Sequence, residues 1–186
     1  MTPRARSRRR FLAVSAVSAT LGALAGALSW LRVHDAGRDA ALGARLVALA
    51  PWEHELVRHL ARRLVAPDVD AEVPLPSTDA VGVADFVDRW IARMRPSMRR
   101  DLGRLFRYVE HVAPLAIGHA RPFTTLDEAS QDRALAALAA SPVGDLRAGF
   151  EGLKALVAMG YWRDPRTWPA IGYPGPIVGP AKGEGE

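Results

Sequence analysis

Val83, Phe86, Val87, Trp90, Ile91 and Met94 recur at i, i+3, i+4, i+7, i+8 and i+11, which lines one face of an α-helix with apolar groups. The spacing returns in Leu102, Leu105, Phe106, Val109 and Ala113, with Gly118 as a terminator. Upstream, Leu56, Leu60 and Leu64 fall four residues apart with Val57 and Ala61 beside them. Downstream come Leu135 and Leu138, then Leu146, Phe150, Leu153 and Val157. No strand-like alternation of useful length interrupts this pattern. The chain is therefore expected to be all-α, a small bundle of about five helices over residues 51–160.

Local signals place the boundaries. Pro51 suits a first helical turn, and Glu53 and Glu55 suit the positive end of that helix. Pro67 closes it, and the acidic, proline-bearing residues 67–79 read as a loop. Thr78 or Asp79 is expected to cap the next helix. Thr125-Leu126-Asp127-Glu128 reads as a capping box, and Ser141-Pro142 as the start of the last helix. Residues 32–50 are expected to form a linker or short helix. Residues 161–186 form a separate Pro/Gly/aromatic segment: five prolines between 161 and 180 predict extended, non-helical chain. Tyr161, Trp162, Trp168 and Tyr173 are too many large rings for an idle tail, so they must bury against this bundle or against a partner.

The first 31 residues are set apart. Ser7-Arg8-Arg9-Arg10-Phe11-Leu12 precedes an uncharged stretch, Ala13 to Leu31, rich in alanine, serine and glycine. Ser7, Arg8, Arg9, Phe11 and Leu12 match the twin-arginine export signal, which addresses a folded protein to the twin-arginine translocase and the periplasm. Ala25-Gly26-Ala27 offers a small-residue cleavage site. The stretch is also long enough to serve as a membrane anchor. Arg4, Arg6, Arg8, Arg9 and Arg10 meet no acid before residue 28, and removing them leaves 20 basic against 20 acidic residues. The body carries no net basic field for nucleic acid.

The chain contains no cysteine, which removes disulfides, thiolate zinc sites and iron–sulfur clusters. His54 and His59 are five residues apart, so on one helix their rings diverge by about 140° and cannot share an ion. They are expected as exposed residues of an amphipathic helix. His111 and His119 lie near a helix end, where contact with the helix dipole is the simpler role. Asp85 with Asp88, and Asp145 with Glu151, read as solvated helix faces; Ser97, Ser130 and Ser141 read as helix starts. No catalytic, cofactor or metal site is expected in this chain.

The segment Phe150-Glu151-Gly152-Leu153-Lys154-Ala155-Leu156-Val157, then Met159-Gly160-Tyr161-Trp162, Pro165, Trp168 and Ile171-Gly172-Tyr173-Pro174-Gly175-Pro176, resembles the gluconate 2-dehydrogenase subunit 3 family. Val83 to Ile91, and Phe123 with Leu126, resemble further parts of it. The Arg/Ala-rich residues 35–50 and the acidic loop 67–79 depart from its pattern. The resemblance implies a small accessory subunit that supplies the export signal and stabilises a catalytic flavoprotein of the glucose–methanol–choline type. FAD then sits on the partner, and a cytochrome c subunit often accepts the electrons. Tyr161, Trp162, Trp168, Tyr173, Pro174, Gly175 and Pro176 are the expected partner-binding residues. Two other classes remain open at this point. One is a free-standing periplasmic binding protein with a cavity lined by Phe86, Trp90, Phe106 and Phe150. The other is a cofactor-free enzyme using His111 or His119.

Overall fold

The computed structural model describes residues 45–65 and 75–175. The export signal, most of the linker, residues 66–74 and Pro176 lie outside these. All the regular secondary structure of the described residues is helical, and they contain no strand. The α-helices are α1 (Pro51–Leu64), α2 (Thr78–Val81), α3 (Val83–Ala92), α4 (Pro96–Arg107), α5 (Glu128–Ala139) and α6 (Gly144–Trp162).

Helix α1 is the core's centre, with Leu56, Val57 and Leu60 wholly buried. It packs against α3, α5 and α6. Pro51 opens it, the Glu53 carboxylate accepts the Ala50 N–H at 2.8 Å, and Arg62 and Arg63 occupy its last turn. Val83, Val87 and Ile91 of α3, Phe106 and Val109, and Phe150, Leu153 and Val157 of α6 close around it. Gly160 of α6 lets α3 approach: a Cβ there would lie 2.9 Å from Phe86 Cδ1 and 3.1 Å from Val83 Cγ1.

Several boundaries differ from expectation because tertiary partners recruit the polar groups. Residues 45–50 form turns and bends rather than a helix. Ser77, not Thr78 or Asp79, caps α2 by accepting the Ala80 N–H, and Gly82 at φ 70° separates α2 from α3. Asp127 caps α5 through the Ser130 N–H, while the Thr125 hydroxyl donates to the Pro122 carbonyl, so the expected capping box does not form. Helix α6 begins at Gly144, with the Ser141 hydroxyl accepting the Val143 N–H ahead of it. After α4 the chain widens into a π turn, Tyr108–Val112, and tightens into a 3₁₀ helix, Ala113–Ile117. Pro114 has no N–H with which to continue an α ladder there.

The C-terminal segment is corrected most. Helix α6 runs through Tyr161 and Trp162, and Pro165–Ile171 is a 3₁₀ helix. Pro165 stands in its first turn, where no donor is missed, and Asp164 caps it through the Arg166 N–H.

Candidate functional site

Helices α4 and α6 do not meet along their whole length. Between them, closed at one end by α3, lies an open groove of about 950 Å³. From α3 and the turn after it come Trp90 and Met94; from α4 and the π turn Met98, Leu102, Leu105 and Tyr108; from α6 Leu146, Gly149, Gly152, Leu153, Leu156 and Met159. Apolar surface predominates, and Trp90, Met98 and Met159 remain 38%, 45% and 39% exposed. Only Asp101, Arg104 and Asp145 bring charge to its lining. Such a trough of aromatic and methionine side chains is apolar and adaptable, the chemistry that suits docking of another apolar surface.

The cavity expected of a free-standing binding protein is not built as foreseen. Trp90 lines the groove, but Phe106 and Phe150 are core residues at 1% and 3% exposure, and Phe86 packs against Gly160 and beneath Arg163. Their rings are spent on closing the bundle.

The C-terminal rings mostly fold home. Tyr161 was expected on a partner face; it is wholly buried, its hydroxyl donating to the Pro76 carbonyl at 2.8 Å. Burial raises its phenolic pKa. Trp168 is half-buried, donates its indole N–H to the Trp162 carbonyl at 2.9 Å, and meets Tyr173 edge-on. Gly175, at φ 107°, closes over the Trp168 ring, where a Cβ would sit 3.3 Å away. Trp162 stays half-buried, while Tyr173 and Pro174 are exposed. Of the expected docking rings, Tyr173 alone is fully on the surface.

The titratable groups hold the fold. His54 is buried rather than exposed: its Nε2–H donates to Asp85 at 2.9 Å while Nδ1 has no hydrogen-bond partner. His59 is half-buried between Glu55 and Gln131, and burial lowers its pKa. Asp88 is not a solvated residue. It is 3% exposed and accepts the N–H groups of Val47, Ala48 and Leu49, each at 2.8 Å. Burial pushes this carboxyl up, but the three N–H bonds prevail and hold it below the usual carboxylate range. Buried Glu110 accepts both the N–H and the hydroxyl of Thr124.

A serine, a histidine and an aspartate do gather, but in the wrong order for acyl transfer. Ser130 lies 3.5 Å from His119 Nε2, while Asp127 bonds the serine and not the imidazole. A nucleophile needs a base oriented by a third group. Here Ser130 is 2% exposed, and its hydroxyl donates to Asp127, the α5 cap. Among the described residues no three metal-binding side chains cluster, and no helix is long and apolar enough to cross a membrane.

Sequence reasoning missed the groove. Two signals for it were present: Gly152 stands inside a long helix, and Met98 follows Pro96 on a short arginine-rich one. Compared with known proteins, the model of one family, gluconate 2-dehydrogenase subunit 3, matches residues 51–175. No curated protein and no solved structure matches the chain.

Proposed function

Because this chain belongs to the gluconate 2-dehydrogenase subunit 3 family, we propose that it is the non-catalytic accessory subunit of an exported, flavin-dependent sugar or alcohol dehydrogenase. The observation that carries this reading is the groove between α4 and α6. The bundle completes its own core and still leaves Trp90, Met98 and Met159 lining one continuous apolar trough. A surface of that kind is stabilised by a protein partner.

In this reading the partner is a flavoprotein of the glucose–methanol–choline type that holds FAD and performs the oxidation, with a cytochrome c subunit receiving electrons. This chain provides a stabilising face and, through Arg8 and Arg9, the passage of the folded complex across the membrane by the twin-arginine route. The assembly then works in the periplasm or on the outer face of the cytoplasmic membrane.

The test is export of the partner. With Arg8 and Arg9 both changed to Lys, the dehydrogenase subunit should accumulate in the cytoplasm together with this chain. Unchanged periplasmic activity in that double variant refutes the carrier role. Bound flavin or dehydrogenase turnover in the purified chain alone refutes the accessory role.

A further inference from the structure

We propose that the groove receives an amphipathic helix of the catalytic subunit, apolar side down and with acidic residues facing α4; this rests on the accessory-subunit reading above. Three independent features fix that occupant.

The first is shape. The groove follows α6 from Asp145 to Met159, and 14 helical steps of 1.5 Å make it about 21 Å long. An open trough of that length suits a helix of about four turns better than a compact small molecule.

The second is a glycine that this chain does not need for itself. Gly152 is exposed in the interior of α6, and a Cβ built on it meets nothing within 4 Å. Glycine in a helix interior destabilises it relative to alanine. At Gly149, one turn earlier, a Cβ would lie 3.2 Å from Leu105 Cδ2, so a close neighbour favours the glycine there. Gly152 has no such internal reason. Its missing side chain becomes intelligible when a second backbone approaches α6 at that point.

The third is charge. The body is neutral overall, yet Arg89, Arg93, Arg95, Arg99, Arg100, Arg104 and Arg107 stand within 19 residues that hold one acid, Asp101. All seven are exposed, and among the described residues only Arg104 is in an ion pair, with Asp101. Arg100, Arg104 and Arg107, at i, i+4 and i+7, form a row along α4, and Arg104 lines the groove. A second copy of this chain would bring the same arginines against them, a like-charge contact. An acidic partner helix satisfies them and gains association rate.

The experiment uses the full chain, tagged and expressed in its own host with its catalytic subunit. The chain has no cysteine, so Gly152→Cys provides a single site for a short thiol-directed photocrosslinker. Crosslinked peptides should come from one helical segment of the catalytic subunit that bears Asp or Glu beside Leu, Ile or Phe. In titrations with purified catalytic subunit, Gly152→Leu should weaken binding at least tenfold without lowering the Tm of the free chain. Arg100→Glu with Arg104→Glu should weaken it similarly and flatten its dependence on salt. Undiminished binding by both variants overturns the groove while leaving the accessory role intact, as do crosslinks confined to a second copy of this chain. If no dehydrogenase subunit accompanies the wild-type chain, the accessory reading falls first and this inference falls with it.

Discussion

Asp88 Oδ1 accepts the backbone N–H of Leu49 at 2.8 Å across 39 residues of sequence. With the N–H groups of Val47 and Ala48 on the same carboxylate, it ties the chain's approach to α1 onto α3. Converging donors on one anion make a stronger clamp than neutral hydrogen bonds, because the charge is retained and answered at once.

Asp88→Ala should therefore lower stability by about 3 kcal/mol, the combined effect of lost charge-assisted bonds and stranded N–H groups. Urea unfolding of the two proteins measures it. The folded pKa of Asp88 is depressed, so its contribution is present above the unfolded carboxylate pKa and is lost as pH falls through the folded value. The difference between wild type and Asp88→Ala should narrow in acid.

His59 acts in the same pH direction over a different window. Burial between Glu55 and Gln131 favours its neutral form, lowering the folded pKa below the ordinary 6.5. Its stabilising effect is complete above the unfolded pKa and fades as pH falls through the folded one. Stability measured from pH 7.5 to 5 should decline, and His59→Gln should flatten that decline.

Gly160→Ala should destabilise the bundle by roughly 1–2 kcal/mol despite alanine's better helix propensity, since the new methyl collides with Phe86 and Val83. Gly152→Ala, in the same helix, should instead raise Tm by about 3 °C. Thermal unfolding of the pair separates close packing from open space.

Tyr161→Phe keeps the ring in the core but deletes the bond to the Pro76 carbonyl, for a loss of about 1 kcal/mol. Trp168→Ala should act locally, releasing Tyr173 and Gly175 and raising protease cleavage near residue 170 while the core stays folded. Limited proteolysis with mass spectrometry checks the second effect.

Helix-forming stripes were legible because burial repeats with the period of the backbone: Leu56, Leu60, Val83, Val87, Ile91, Phe106, Phe150 and Leu153 are core residues as their spacing predicts. Capping was read less well. Thr78, Asp79, Thr125 and Ser141 each sit one or two residues from where a cap is needed, and a polar side chain finds the nearest free donor that the tertiary fold leaves. The aromatic tail misled for a related reason. Proline counts forbid a long α-helix, but they permit the single 3₁₀ segment that brings Trp168 back onto Trp162.

The sequence by itself determined an all-helical body without cysteine chemistry, since periodicity and composition are local and additive. Only the tertiary structure decided that Asp88 is an anchor, that Tyr161 is core, and that an apolar trough stays open between α4 and α6. Those outcomes depend on which faces meet in space. One-dimensional spacing says that a face is apolar; it does not say whether its own chain will cover it.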